Sequence, residues 1–382
     1  MWIESLPRKA STKFQSTEMP RFSGRRRKYN KSTQTSALLQ LPNDMLAMTL
    51  YQLPLAHDIA ASALTCHALH AAAKETQKLR PFTGQVVTLK TTECNVGHKA
   101  ELNAVAAGPG GVLVTGADKG IVNVWRDDKR VATIEGHDAH VIAVAVLPGG
   151  ERLLTVSTDC TTKVWSLNKI LAEEDNVLER TFHMGSVVLS VAAVDEERFV
   201  VGGWQEASMY NVHGTLLKQF QGHTSSVNAL AVTPDCQHVI SGGYDSLVKV
   251  WNIASGDLVS TCEEPAGLVR AVACMPDNKR ILSGSDGGVV RVWLLDGTFL
   301  KRFEGLHAQT VLALVALPDN QHALSAGNDI KLFNVDDGRV LRTFKHHTNT
   351  VSGLALLLDG LRFASASYDA TARIVEHGLA PL

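Results

Sequence analysis

Residues 222–252 have the sequence GHTSSVNALAVTPDCQHVISGGYDSLVKVWN, and the features of this stretch return along most of the chain. The stretch opens on Gly222 and His223, and the pair Pro234-Asp235 separates two apolar runs. Proline presets the backbone dihedral of the first central turn position, and aspartate suits the position after it. The stretch therefore predicts short strands that are joined by tight turns.

A position that holds tryptophan or another bulky residue returns about every 42 residues between Gly97 and the C-terminus. The successive spacings are 40, 45, 41, 42, 40 and 42 residues. The position is occupied by Trp125, Trp165, Tyr210, Trp251, Trp293, Phe333 and Val375. A fixed period of this length predicts an array of repeated strand units.

Gly-His and Trp landmarks at this spacing resemble the WD-repeat proteins over residues 97–382. The resemblance implies an all-β fold, a seven-bladed propeller with about four strands in each blade. Only six residues follow Glu376, so the last repeat lacks its outermost strand. We expect the segment 85–92 to supply that strand, which gives a propeller domain of residues 85–382.

Repeats two and four carry a His, a hydroxyl residue, an Asp and a Trp at matched offsets, a set called the tetrad below. The two sets are His137, Thr155, Asp159 and Trp165, and His223, Ser241, Asp245 and Trp251. In isolation, Ser, His and Asp suggest a nucleophilic triad. The WD-repeat resemblance implies instead a hydrogen-bond network within each blade. Because the set recurs around the ring, we expect no enzyme and no cofactor. Since His346 and His347 have no Cys or acidic partner at ligand spacing, we also expect no metal site.

Several repeats depart from the tetrad. A histidine is assigned to its first position at His98, His137, His183, His223, His307 and His347, whereas Pro265 stands there in repeat five. The Asp position of repeats one, three and five is occupied by Lys119, Gln205 and Gly287. Asp118 and Asp286 lie one residue earlier, and whether they compensate stays open at this point. The local geometry of repeats three and six also stays open.

The resemblance implies a partner-binding surface at one end of the ring, called the top face below. By offset from the His position, its inner residues are Asn103, Ile142, Val188, Asn228, Arg270, Leu312 and Ser352. The residues before the turn Asp include Thr158, Trp204, Tyr244, Asn328 and Tyr368. Because Arg270 is the only basic residue of these sets, they disfavour a phosphorylated ligand. We expect Trp204, Tyr244 and Tyr368 to anchor a protein partner, or else to fill the mouth of the ring.

Residues 38–80 precede the strands and have the apolar spacing of helices. Residues 41–72, LPNDMLAMTLYQLPLAHDIAASALTCHALHAA, resemble the F-box, which opens on Leu-Pro-x-Asp and continues through a second Leu-Pro to an Asp-Leu and a Cys. Near its end the F-box pattern has a tryptophan, and Leu69 stands at that position in this chain. The resemblance implies a small all-α unit that binds a Skp-type adaptor, and through it a cullin. The residues expected at that contact are Leu41, Pro42, Leu46, Leu50, Leu53 and Ile59. A helical hairpin that packs on the propeller or dimerises is the alternative.

Charge divides the chain into two parts. Residues 1–37 carry nine Lys or Arg and two Glu with few apolar residues, which predicts a disordered basic tail. Residues 25–28, Arg-Arg-Arg-Lys, are a candidate nuclear-import signal, with a solvated tail or a transit peptide as alternatives. The rest carries 28 basic and 36 acidic residues, which argues against a nucleic-acid partner.

The cysteines and the apolar runs indicate in which cellular compartment the protein is expected. The six cysteines are scattered without a CxxC pair, which favours a reduced interior. No apolar run approaches the ~20 residues that span a bilayer. We expect a protein of the cytoplasm or nucleus with no membrane or small-molecule partner.

Together these patterns predict the substrate-recognition subunit of an SCF-type (Skp–cullin–F-box) ubiquitin ligase, whose propeller binds an unidentified target protein. The alternative is a WD-repeat scaffold or regulatory protein that is not linked to ubiquitin.

Overall fold

The computed structural model describes the backbone of residues 87–90 and, in full, residues 100–127, 129–263 and 267–379. The predicted basic tail, the F-box-like unit, His98 and Pro265 lie outside the described residues. The first described strand is β1 (Val87–Lys90), which belongs to the last blade.

The described strands form seven four-stranded antiparallel sheets, and each sheet is one blade. Blade one consists of β2 (Leu102–Ala107), β3 (Val112–Ala117), β4 (Ile121–Arg126) and β5 (Lys129–Glu135). Blade two consists of β6 (Val141–Val146), β7 (Arg152–Ser157), β8 (Thr161–Ser166) and β9 (Leu178–His183). Blade three consists of β10 (Ser190–Ala193), β11 (Arg198–Gly202), β12 (Glu206–Asn211) and β13 (Leu216–Gln221).

The remaining blades repeat this order from the inside of the ring outward. Blade four consists of β14 (Val227–Val232), β15 (His238–Gly243), β16 (Val248–Asn252) and β17 (Leu258–Cys262). Blade five consists of β18 (Val269–Cys274), β19 (Arg280–Ser285), β20 (Val290–Leu294) and β21 (Phe299–Phe303). Blade six consists of β22 (Ala313–Ala316), β23 (His322–Ala326), β24 (Ile330–Asn334) and β25 (Val340–Phe344). Blade seven consists of β26 (Val351–Leu356), β27 (Arg362–Ser367), β28 (Thr371–Glu376) and β1.

Seven hydrophobic clusters occupy the seven boundaries between neighbouring blades. The second strands are nearly all buried because a blade covers each of their faces, whereas outer strands such as β9 are mostly exposed. At one boundary, Val227 and Trp251 of blade four pack on Met209 and Phe220 of blade three. The cluster around Trp125 and Ile374 joins blade one to blade seven and so completes the ring. The predicted seven-bladed propeller is therefore confirmed.

The ring is closed by the first and the last of the described strands. Strand β1 pairs antiparallel with β28, from Val87 opposite Ile374 to Lys90 opposite Thr371. The last blade thus has the order β1-β28-β27-β26, with β1 on the outside. Towards the centre of the ring, β26 packs against β2.

Regular helix is scarce in the described residues. A 3₁₀ turn spans Asp118–Gly120, and one α-helix, α1 (Leu167–Leu171), follows β8. In α1 the hydroxyl of Ser166 caps the helix by accepting from the backbone N–H of Lys169. No described helix has the length and apolar character that crossing a membrane requires.

Candidate functional site

The tetrad of blade four forms one continuous chain of hydrogen bonds. The Trp251 indole donates to the Ser241 hydroxyl at 2.8 Å, and His223 Nε2 lies 2.8 Å from the same oxygen. His223 Nδ1 lies 2.8 Å from Asp245 Oδ2. A neutral imidazole that carries its proton on Nδ1 satisfies every member of this chain.

The tetrad of blade two has the same geometry. Trp165 donates to Thr155 Oγ1 at 2.8 Å, and His137 bridges from Thr155, at 2.7 Å, to Asp159, at 2.8 Å. Burial lowers the pKa of His137, which keeps the ring neutral. Burial acts to raise the pKa of Asp159, but hydrogen bonds from Thr161, His137 and a backbone N–H bring it down to about 2.

These networks tie top-face loops to the strands beneath them. Asp245 also accepts from the backbone N–H of Thr224, which follows the tetrad histidine. Thr155, Ser241 and both imidazoles are buried, so a substrate in solvent has no access to the hydroxyls. The role of these groups is therefore structural. In the described part of the chain, no cluster of three or more His, Cys, Asp or Glu side chains could hold a metal ion.

Blades six and seven carry tetrads without tryptophan. In blade seven, His347 lies 2.8 Å from Ser365 and 2.9 Å from Asp369. In blade six, His307 lies 2.8 Å from Ser325, and its Nδ1 lies 3.1 Å from Asp329 Oδ1. Blade six thus keeps the bond between imidazole and hydroxyl, whereas Asp329 of its shorter turn lies close to Nδ1 without forming a hydrogen bond with it.

Blade three has lost its tetrad, and the assignment of His183 to it is wrong. His183 is the last residue of β9, is exposed and lies opposite Thr161. The equivalent pair in the next blade is Gln221 and Glu206. His183 therefore corresponds to Gln221 and not to a tetrad histidine. From His183 to the buried Val188 the chain advances five residues, against six from Gln221 to Val227. The loop is therefore one residue shorter, and counting from His183 misplaced the positions that follow it.

The shorter loop also corrects one top-face residue. Val188, which the offset placed on that face, is buried between blades two and three. Leu189 takes the inner position instead, because Ser190 pairs with Gly202 as Ala229 pairs with Gly242.

The inner residues of five blades lie at a register shift of the innermost strand. These bulged residues are Asn103, Ile142, Asn228, Arg270 and Ser352. Three of them reach the backbone of the next blade: Asn103 donates to Val141 O at 3.1 Å, Asn228 to Arg270 O at 3.3 Å and Ser352 to Leu102 O at 2.5 Å. A bulge redirects a side chain, and here it places polar groups across the boundaries between blades.

Arg270 has its charge neutralised within the propeller. Its Nε lies 3.0 Å from Asp286 Oδ1, and Nη2 lies 3.4 Å from Oδ2. Nη1 donates to the Tyr244 hydroxyl, and the guanidinium carbon lies 4.6 Å from the centroid of that ring. Asp286 occupies the same position in its turn as Tyr244 occupies in the turn of blade four, because the backbone N–H of each residue donates the equivalent hydrogen bond in its own blade. This position precedes that of the tetrad Asp, so Asp286 does not replace a tetrad carboxylate.

Negatively charged side chains predominate on the top face beside blade one. Asp118, also in that turn position, accepts from Asn103 Nδ2 at 3.1 Å and lies 2.7 Å from His140 Nδ1. Burial raises the pKa of Tyr368, and the carboxylates of Glu101 and Asp118 raise it further. Glu101 and Asp118 thus place negative charge close to Tyr368 on this part of the top face.

Trp204 is the most exposed aromatic side chain among the described residues of the top face. It is 61% exposed, and Val187 of the neighbouring loop is 42% exposed. Tyr244 and Tyr368 are partly buried by comparison. The structure thus joins Tyr244 to Arg270 and leaves Trp204 available to a partner.

A family model supplies the decisive comparison. The model described as WD40, "WD domain, G-beta repeat", matches residues 128–166, 214–252, 256–293 and 338–376. The chain carries WD40 repeats. Each matched WD40 repeat covers the outer strand of one blade and three strands of the next, the same offset that leaves β1 to complete blade seven. No F-box model matches the chain.

Curated WD-repeat proteins are similar over parts of the chain. WD repeat-containing protein 1 of Mus musculus is 31% identical over 46% of this chain and 28% of its own length. Cilia- and flagella-associated protein 52 of Mus musculus is 24% identical over 52% of this chain and 34% of its own. The transcriptional corepressor LEUNIG_HOMOLOG of Arabidopsis thaliana is 32% identical over 34% of this chain and 16% of its own. The aligned part is at most 34% of the length of these relatives.

Proposed function

We propose that this chain is the target-recognition subunit of a Skp–cullin–F-box type ubiquitin ligase. The WD40 propeller holds a target protein on its top face, and residues 38–78 bind a Skp-type adaptor. The observation that supports target binding most directly is Trp204, which presents 61% of its surface to solvent on that face. Aromatic side chains of this kind provide much of the binding energy at protein interfaces.

The charges of the top face support an unphosphorylated target. Arg270 is paired with Asp286 and covered by Tyr244, so a phosphate would have to displace an internal carboxylate. Glu101 and Asp118 add negative charge beside blade one. A phosphorylated peptide is therefore disfavoured relative to a neutral or basic one.

The link to ubiquitin is supported by the Leu41-Pro42-x-Asp44 motif and the spaced leucines that follow it. Only residues 79–86 lie between this segment and β1. A target on the propeller would thus be tethered to the adaptor by a short connection, and its high local concentration would promote ubiquitin transfer.

The adaptor arm is tested by binding of a purified Skp-type adaptor to the full chain. We expect a dissociation constant in the micromolar range or below, and its loss in the double variant Leu41→Ala/Pro42→Ala. Thermal unfolding of the variant controls for folding. A folded wild-type chain that does not bind the adaptor would instead support a WD-repeat scaffold that is not linked to ubiquitin.

The target arm is tested by comparing proteins retained from cell extract by the wild-type chain and by Trp204→Ala. The matched control is Leu178→Ala, because Leu178 is 43% exposed on the outer strand of blade two. We expect the Trp204 variant to lose specific partners that the Leu178 variant keeps. Equal retention by both variants would refute binding through the top face.

A further inference from the structure

The outer strands of blades four, five and six expose apolar side chains at matching positions. In each strand one residue lies opposite the repeat position held by Trp251, Trp293 or Phe333, and the next residue is bulged out of register. The six residues, called the apolar belt below, are Leu258, Val259, Phe299, Leu300, Val340 and Leu341. They are between 36% and 48% exposed. Three successive blades thus each present a pair of apolar side chains to solvent.

Contacts between neighbouring blades hold the belt together as one surface. The Ser260 hydroxyl donates to Leu295 O at 2.6 Å, and the Lys301 ammonium group donates to Asp336 O. The turn before each of these outer strands therefore packs on the outer strand of the preceding blade. At these exposed fractions the belt presents on the order of 500 Å² of surface, a size at which apolar patches on soluble proteins are often interaction sites.

Blades one and two have a charge where the belt has an apolar pair. The equivalent residues are Arg130 and Val131 in blade one, and Leu178 and Glu179 in blade two. Both blades nevertheless form the same four-stranded sheet as the others. An apolar pair at this position is therefore not required to build a blade, and the belt needs another explanation.

Charges of opposite sign lie along the two sides of the belt. The turns before its strands carry the exposed residues Asp257, Asp296, Asp336 and Asp337, and Arg339 is the one cation in these described turns. Farther along the outer strands of blades five and six lie Lys301, Arg302, Arg342 and Lys345, with Glu304 as the residue of opposite sign. The belt thus has an acidic margin on the side of the turns and a basic margin on the side of the top face.

We propose that the apolar belt binds the belt of a second copy of this chain in an antiparallel dimer. A two-fold axis perpendicular to the rim of the ring places each belt on its counterpart. The same axis reverses the orientation of the second ring, so the acidic margin of one copy faces the basic margin of the other. The two top faces then point in opposite directions and stay accessible. This contact depends neither on the adaptor nor on the target.

The test is sedimentation equilibrium of the full chain over a range of concentrations. The belt and its margins together approach the roughly 800 Å² per partner of a standard interface, so we expect a dimer with a dissociation constant in the micromolar range. Leu258→Asp and Leu300→Asp each place a carboxylate in the belt, and we expect each to weaken the dimer about ten-fold or more. Thermal unfolding of each variant controls for folding.

The matched control is Leu178→Asp. Leu178 lies opposite Trp165 as Leu258 lies opposite Trp251, and the two leucines are 43% and 46% exposed. We expect this variant to dimerise as the wild type does. A wild type that stays monomeric, or a dimer that the belt variants and the control keep or lose alike, would overturn the proposal.

Two further measurements separate this dimer from other kinds of self-association. A dimer that is lost in Leu41→Ala/Pro42→Ala and kept in both belt variants would assign self-association to the F-box-like segment and refute the belt. Because the margins attract each other through exposed charges, we expect the dimer to weaken as the salt concentration rises. Association that is unchanged or strengthened by salt would contradict the antiparallel arrangement.

Discussion

The hydroxyl oxygen of Ser241 lies 2.8 Å from the indole nitrogen of Trp251 and accepts a hydrogen bond from it. The same oxygen lies 2.8 Å from the tetrad imidazole of blade four, so one small side chain joins two strands and a loop. In blade seven the equivalent Ser365 contacts an imidazole but no indole, because Val375 replaces the tryptophan.

The contrast between these two serines predicts unequal losses of stability. Ser241→Ala leaves two buried groups without a partner, whereas Ser365→Ala leaves one. We expect each unpaired group to cost about 1–3 kcal/mol of unfolding free energy, so the Ser241 variant should be clearly less stable. Denaturant unfolding of both variants measures the difference. Equal losses would show that the tryptophan contributes nothing through this bond.

The histidines predict that the propeller loses stability in mild acid. Burial lowers the pKa of His307 to about 4, from an ordinary value of 6.5. The unfolded chain therefore takes up a proton before the folded one does, so this stabilisation is complete above pH 6.5 and is lost as the pH falls towards 4. Burial also lowers the pKa of His137 and His347, which adds to the same trend.

The measurement is the unfolding free energy of wild type and His307→Gln at several pH values across that window. Glutamine keeps a polar side chain but cannot titrate. We expect the variant to show a shallower pH dependence whatever its absolute stability. Parallel curves for the two proteins would contradict the assignment of this proton uptake to His307.

Close packing of the inner strands predicts a steric effect at Gly242. A Cβ atom at this position would lie 2.5 Å from Val269 Cγ1 of the next blade. We expect Gly242→Ala to lower the unfolding free energy by about 1–3 kcal/mol. Gly203→Ala is the control, because its Cβ would meet nothing nearer than 3.5 Å. Partial rescue of Gly242→Ala by Val269→Ala would identify the clash as the cause.

Pairing of β1 with β28 predicts that the segment 85–92 stabilises the whole ring. Its deletion leaves β28 as an exposed edge and removes the outer strand of blade seven. We expect the melting temperature to fall by about 5 °C or more. A chain that lacks only residues 1–37, which the sequence predicts to be disordered, should melt as the full chain does. An unchanged melting temperature after deletion of 85–92 would be incompatible with this role.

The sequence predicts the blade number and the tetrads of blades two and four because their landmarks recur at nearly constant spacing. Residues such as His223 and Asp245 are separated by strands and turns of fixed length, so counting along the chain locates them in space. The same counting fails in blade three, because the loop there is one residue shorter. Val188 is consequently buried, and His183 is not part of a tetrad.

The sequence also does not predict which charges of the top face are already paired within the propeller. Arg270 and Asp286 are 16 residues apart, and their pairing depends on a bulge in β18 and on the turn after β19. A count of basic residues therefore registers a cation at Arg270 but misses the carboxylate that neutralises it. In the sequence, loss of the tetrad in blade three is visible only as an atypical repeat.

The position of β1 has a consequence for the synthesis of the protein. A ribosome releases β1 well before its partner β28, because six complete blades lie between these two strands in the sequence. Until then β1 is an unpaired strand, and blade seven does not exist to receive it. The nascent chain must therefore keep this segment from pairing with other strand edges, and the closed ring forms only after β28 has emerged.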